Sequence, residues 1–262
     1  FSESSNSMTW SQMTFAAARI AEQESSKLYR HVIVDESQDF GPAELQLTRA
    51  LAESASDDIF LCGDAAQRIF RRPFPWSNIG VHIQGRSRSL SANYRNTQEI
   101  QKFAQKVLRR TAVGGDGEKE DTASVSLLTG AEPSIRVCED ETGETECLAE
   151  WLEEMIQLGY NQADIAVFTR RTRTLKSICD PALRLVGGLN RRDLQESRPP
   201  SEEGVAFGTM HRAKGLEFKA VAVVGCGEDD IPDKDALSAS GDESDQQEIL
   251  EEELNLLHVA IT

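Results

Sequence analysis

The stretch "HVIVDESQDF", residues 31–40, decides how this chain is read. A β-branched run, Val32-Ile33-Val34, follows His31 and stops at once in Asp35-Glu36, with Ser37-Gln38-Asp39 behind it. Such a run is expected to form a short buried strand. A buried strand that delivers two adjacent carboxylates to its C-terminal end has two explanations. One is a strand followed by a polar turn. The other is a metal-nucleotide site, because a strand-end aspartate suits a magnesium ion that keeps part of its water shell.

Outward from this stretch, the apolar spacing predicts a helix over 13–29, and Pro42 opens a second one through about Ala52. A second short buried strand, Ile59–Cys62, ends in Gly63-Asp64. Residues 71–88 are basic and irregular. Asn96, with Glu99 three residues on, is expected to cap a helix over 97–110. The Gly-rich acidic stretch 113–124 reads as a loop. Strands are expected at 134–138, 164–169, 204–209 and 219–225, with helices at 142–158 and at 172–179, the latter stopping before Pro181. Residues 227–248 read as a mobile acidic loop, and a last helix runs from about Ile249. Short apolar strands alternating with helices define an α/β fold with mostly parallel sheets. Ligands of such sheets bind at the C-terminal ends of the strands, which puts Asp35, Gly63-Asp64 and Thr209 on candidate ligand edges.

Composition narrows the classes. With 39% hydrophobic and 27% charged residues, the 262-residue chain can build a packed core. No apolar run approaches the roughly 18 residues that span a bilayer, so no membrane association is expected. The first residues, Phe1-Ser2-Glu3, carry no signal-peptide pattern and no initiator Met, which suggests a piece of a longer protein. Five widely spaced cysteines with no CxxC pair argue against a disulfide framework or zinc site and fit a reducing cytoplasm. The net charge of −16 is uneven: residues 1–110 hold 14 basic against 12 acidic residues, and residues 201–262 hold 4 against 15.

Four stretches carry chemistry when taken together. Asp35-Glu36 can hold a metal and polarise a water. Gly63-Asp64-Ala65-Ala66-Gln67-Arg68 ends a second strand, and Gln67 can reach a terminal phosphate. Asn93-Tyr94-Arg95-Asn96 places an arginine before a helix. "GTMHRAKGLEF", residues 208–218, lies between two strands. Arg68, Arg71, Arg72, Phe74 and Trp76 interleave cations with aromatics, as a single-strand nucleic-acid groove requires.

In order and spacing these motifs resemble the UvrD/Rep/PcrA group of superfamily 1 DNA helicases. Asp35–Asp39 is similar to the second motif of that family, Gly63–Phe70 to the third, Leu90–Arg95 to the fourth and Gly208–Phe218 to the fifth. "EEELNLLHVAIT", residues 251–262, is similar to the sixth. The resemblance implies RecA-like parallel sheets flanked by helices. Residues 1–88 would be the C-terminal part of a first RecA-like domain, and 89–262 a compact second one. It implies ATP and Mg²⁺ as cofactors and single-stranded DNA as partner, with translocation 3′ to 5′. Asp35 would bind the Mg²⁺ and Glu36 would be the catalytic base, with Gln38 and Asp39 coupling behind them. Gln67 would sense the γ-phosphate, and Arg95 would be an arginine finger. Gly215 and Glu217 would lie near the nucleotide, Glu217 at the ribose. Arg71, Trp76, Thr209 and His211 would face DNA.

The chain departs from the family in three ways. The phosphate-cradling GxxxxGK[ST] loop is absent, with no Gly-Lys dipeptide anywhere, and is expected before Phe1 in the rest of the same protein. The chain stops at Thr262, where the arginine of the sixth motif would follow. The span from Arg170 to Gly204 is too short for the extra helical domain that family members often carry. The isolated chain is therefore expected to be inactive as an ATPase. The competing reading is a helicase-like DNA- or protein-binding adaptor without catalysis, its acidic loops serving protein partners. A metal-dependent nuclease fits less well, since the acids of 227–248 do not sit at strand ends.

Overall fold

The computed structural model describes residues 8–64, 67, 76–83, 85–108, 125–194, 203–228, 230–241 and 243–262. The described residues form two compact units, one running to Ser91 and the other beginning at Ala92.

The first unit contains α1 (Trp10–Gln23), β1 (Val32–Val34), α2 (Pro42–Leu51) and β2 (Ile59–Leu61). Helix α1 starts earlier than its apolar spacing predicts because Thr9 and Gln12 form a reciprocal capping box. It ends at Gln23, where Lys27 Nζ turns back to donate to the carbonyls of Ala21 and Glu22, at 2.7 and 3.2 Å. Pro42 opens α2, and Glu44 accepts from the Gly41 N–H at 3.0 Å. The two helices pack together around the fully buried Ala18 and Leu45. Strands β1 and β2 are parallel, with Val32, Ile33 and Val34 opposite Ile59, Phe60 and Leu61. The expectation of fully buried strands needs correction. Val34 is buried, but Ile33 and Phe60, partners in the register, are 76% and 63% exposed. Alternate residues of a strand point to opposite faces, and only one face of this pair is covered.

The second unit contains β3 (Ala92–Thr97), α3 (Gln98–Val107), β4 (Val125–Leu128), α4 (Glu141–Gln157), β5 (Ile165–Thr169), α5 (Thr172–Thr174), α6 (Asp180–Val186), β6 (Arg191–Asp193), β7 (Val205–Thr209), β8 (Ala220–Val224), α7 (Lys234–Ala239) and α8 (Glu243–Ile261). Strands β3 and β4 form a parallel pair, and a parallel sheet runs in the order β6-β7-β5-β8. Central β5, IAVFT, is buried at every residue, as a strand covered on both faces should be. Leu148, Leu152, Ile178 and Ala182 from α4 and the segment before and within α6 pack with Ile165, Val167, Val205 and Phe207 of the sheet. Full burial of each large side chain in this core contributes about 1.5–3 kcal/mol.

Several local expectations change. Thr97, not Asn96, caps α3: its hydroxyl accepts from the Ile100 N–H at 3.3 Å, while Glu99 accepts from the Gly130 N–H at 2.8 Å. Residues 134–138 are not a strand; Ile135 and Val137 are 73% and 94% exposed. The chain does not stop before Pro181. A π-helical turn, Leu175–Cys179, leads straight into α6, so Pro181 lies inside a continuous helical run, just after the wider turn where the regular hydrogen-bond ladder is already interrupted. The stretch 227–248 is not a loop throughout, since it contains α7 and the start of α8. Strands β3, β4 and β6 were not anticipated. Residues 113–124 lie outside the described residues.

Candidate nucleotide and nucleic-acid site

In the first unit, Asp35 directly follows β1, and Cys62-Gly63-Asp64 directly follows β2. Both groups stand at the C-terminal edge of parallel strands. Asp35 is exposed, and its Oδ1 accepts from the Glu36 N–H at 2.9 Å and faces the Cys62 thiol at 3.3 Å. That hydrogen bond to the carboxylate, with burial adding to it, pushes the Cys62 thiol pKa up. Glu36 has φ +53° and ψ +38°, a left-handed backbone that a non-glycine residue adopts at a cost of about 1–3 kcal/mol. The turn is held by the Ser37 N–H donating to the Cys62 carbonyl at 2.9 Å.

A chain of hydrogen bonds joins the two strand ends. The Gln38 Nε2 donates to the Glu36 carboxylate. The Gln38 Oε1 accepts from the Asp64 N–H at 3.1 Å. The Asp64 Oδ2 accepts from Gln67 Nε2 at 3.1 Å. Gln38 is only 4% exposed, so its amide is fixed on both sides. Gly63 makes room for it: a Cβ there would lie 2.3 Å from Gln38 Oε1 and 2.8 Å from Ser37 Oγ. Glu36, Gln38 and Gln67 are thus brought together. Trp76 opens a short helical turn, Trp76–Ile79, in the same unit and is half-buried. Arg68, Arg71, Arg72 and Phe74 lie outside the described residues.

Among the described residues no group of three or more His, Cys, Asp or Glu is placed to hold a metal ion. The exposed Asp35 carboxylate nevertheless suits Mg²⁺, which binds through one or two carboxylates and fills its other positions with water and phosphate oxygens.

In the second unit, the Asn93 Oδ1 accepts from the N–H groups of Arg95 and Asn96, at 2.8 and 3.1 Å, and bends β3 where its register with β4 shifts. The Arg95 guanidinium reaches Glu217 at 2.6 Å; both side chains are more than half exposed. Gly215 has φ +75°, a conformation that glycine supplies without strain, and it turns the chain toward Leu216 and Glu217. Thr209 ends β7 beside Thr169, its partner on β5, and is half-buried. His211 lies in the turn Met210–Arg212. Burial, with the Arg170 charge beside it, lowers its pKa, so the ring is held neutral.

Sequence reasoning missed Arg170. It follows the buried β5 and meets Glu253 of α8 with two nitrogens, Nε at 2.7 Å and Nη2 at 2.5 Å. Glu253 is 6% exposed. The signal was present: a cation immediately after an unbroken apolar strand, on a ligand edge.

Parallel sheets flanked by helices form an α/β architecture consistent with a RecA-like fold. Two family models match the chain: the UvrD/REP helicase N-terminal domain over residues 5–74 and the UvrD-like helicase C-terminal domain over residues 187–262. The chain belongs to the UvrD/Rep/PcrA-like helicases. It is similar to a probable DNA helicase of Mycoplasma pneumoniae, 28% identical over 246 residues, covering 88% of this chain and 41% of that protein. It is also similar to the ATP-dependent DNA helicase UvrD1 of Mycobacterium tuberculosis, 31% identical over 193 residues, with coverage of 65% and 24%. A third relative is UvrD2 of the same organism, 44% identical over 84 residues, with coverage of 31% and 11%. The chain therefore spans less than half the length of each of these relatives. Among the described residues no helix is long and apolar enough to cross a membrane.

Proposed function

We propose that this chain is the part of a UvrD-type DNA helicase that carries most of its hydrolytic and coupling groups, driving movement along single-stranded DNA, 3′ to 5′, with MgATP. The observation that carries this reading is the hydrogen-bond chain Glu36–Gln38–Asp64–Gln67. It ties a candidate base to a candidate phosphate sensor through one buried amide, as a site that couples hydrolysis to a bound phosphate requires.

In this reading Asp35 would hold Mg²⁺, which would supply positive charge against the phosphates. Glu36, with its backbone strained and its carboxylate oriented by Gln38, accepts a proton from the attacking water. Gln67 faces the terminal phosphate, and Asp64 fixes its amide. Arg95 supplies cationic charge to the transferring phosphoryl group. Glu217 orients that guanidinium and faces the ribose, on the turn that Gly215 permits. Thr209 and His211, with Trp76 and Arg71, contact the DNA strand. A neutral His211 can donate or accept a hydrogen bond without adding charge.

The 262-residue polypeptide contains no GxxxxGK[ST] loop, so by itself it is expected to hydrolyse ATP negligibly. The test is made in the full-length protein. DNA-stimulated ATP hydrolysis is expected in the wild type, together with unwinding of 3′-tailed duplexes. Glu36→Gln is expected to lower kcat by about 10²–10⁴-fold while ATP binding persists. Undiminished turnover by that variant contradicts the assignment, and robust ATPase activity of the 262-residue polypeptide contradicts the dependence on a phosphate cradle.

A further inference from the structure

Strand β5 of the second unit ends in a run of cations, Arg170-Arg171-Thr172-Arg173. The register Thr169↔Thr209 sets the start of this run beside the end of β7, which continues into His211. Arg170 pairs with the buried Glu253 and also approaches Asp233 at 3.7 Å. The other two arginines differ. Arg171 meets three carboxylates of one short segment: Asp233 at 3.0 Å, Asp230 at 3.2 Å and Asp235 at 3.3 Å. Arg173 meets Asp230 at 2.9 Å. With Arg170 and Glu253 included, three guanidinium groups thus face four carboxylates, an excess of one negative charge. The outer rim is open to water, with the Arg173 and Asp235 side chains 64% and 88% exposed.

We propose that Arg171 and Arg173 form a phosphate-binding ledge for a single nucleic-acid strand, and that Asp230, Asp233 and Asp235 occupy it when no strand is bound. The proposal rests on the DNA-translocase reading and extends it to residues outside the recognised motifs. The guanidinium fork matches a phosphate as well as a carboxylate. Exchange starts at the exposed Arg173 and Asp235 side chains; Arg171, Asp230 and Asp233 are only 19%, 20% and 20% exposed, so Arg171 turns to a phosphate only as the strand replaces its carboxylates one for one. A strand that takes over the two arginines releases counterions, and the exchange is therefore read in the salt dependence of binding. The acids of this segment thereby acquire an internal role, as competitors that weaken retention of the strand.

The test is fluorescence anisotropy of a labelled oligo(dT) with the nucleotide-free full-length protein between 50 and 200 mM KCl. D230N/D235N leaves Asp233 intact, because Asp233 caps α7 through the N–H groups of Asp235 and Ala236. This variant is expected to bind about 3–10-fold more tightly at low salt, with a log–log salt slope steeper by about one to two. Adding R171Q/R173Q is expected to abolish the gain. E150Q/E154Q, which changes net charge equally on α4, is expected to leave affinity within about twofold. D235N alone, at an exposed position, is expected to show part of the gain even where the double variant folds poorly. Unchanged affinity and slope in D235N and D230N/D235N overturn the proposal, as does a gain that survives loss of both arginines or that E150Q/E154Q reproduces. If the wild type binds and the variants match it, only the ledge fails; if none binds oligo(dT), the translocase reading fails with it.

Discussion

The two strand-end edges are held by different chemistry. In the first unit the edge is organised by a neutral amide, Gln38, whose two ends hold the Glu36 carboxylate and the Asp64 N–H. In the second unit the edge is organised by ion pairs: Arg95 with Glu217, Arg170 with Glu253, and Arg171 with three aspartates. An amide fixes direction without changing charge, which suits a group that must orient a base. Ion pairs with an exposed partner, such as Arg95–Glu217, fix less but can be exchanged for phosphates, which suits an edge that meets a polyanion. The Arg170–Glu253 pair is the most buried of these, with side chains 17% and 7% exposed, and acts as a joint between β5 and α8, whereas the Arg171 cluster reaches water through Asp235 and the neighbouring Arg173.

The largest effect is expected at that joint. Arg170→Ala leaves Glu253 buried and uncompensated, and is expected to destabilise the second unit by about 3–5 kcal/mol. Thermal unfolding of the full-length protein measures this; a loss below about 1 kcal/mol would make the pair an ordinary surface contact. Next comes Gly63→Ala. Its added methyl lies 2.3 Å from Gln38 Oε1, so the amide must move. A cost of about 1–3 kcal/mol is expected, with a fall in ATP turnover larger than any change in DNA affinity. An equal fall in both would place Gly63 in general packing rather than in the amide network.

A smaller effect is expected at acid pH. Burial of Asp58 would raise its pKa, but hydrogen bonds from the Ala55 N–H and from Arg49, at 3.2 and 2.6 Å, hold it below the usual carboxylate range. A carboxyl with a depressed folded pKa stabilises above its unfolded value, near 3.9, and that stability is lost as pH falls through the folded pKa. The wild type is therefore expected to lose stability below about pH 4 more steeply than Asp58→Asn, as followed by circular dichroism. Parallel curves would remove Asp58 from the account of acid sensitivity.

Much of this was legible in the sequence because the signals were local. Val32–Asp39 and Ile59–Asp64 announce strand, turn and acid within a few residues, and β5, β7 and β8 are unbroken apolar runs. What escaped depended on partners distant in sequence. Strand β3, ANYRNT, is polar and becomes a strand only because β4 pairs with it. Residues 134–138 have a strand pattern but no partner, so they remain extended and exposed. The helix through Pro181 was hidden because a π turn is not written in apolar periodicity. The acids of 227–248 looked like a solvated loop because their arginine partners lie about 60 residues earlier in the chain. The same distance concealed Glu253 as the partner of Arg170.

The most direct measurement is single-turnover ATP hydrolysis by full-length Gln38→Leu, with and without single-stranded DNA. The substitution keeps the volume of the buried side chain and removes both hydrogen bonds that join Glu36 to Asp64. ATP binding is expected to persist, while the hydrolysis step slows by at least about tenfold and loses its stimulation by DNA. Hydrolysis at the wild-type rate, with stimulation intact, would contradict the claim that this amide chain ties the base to the phosphate sensor.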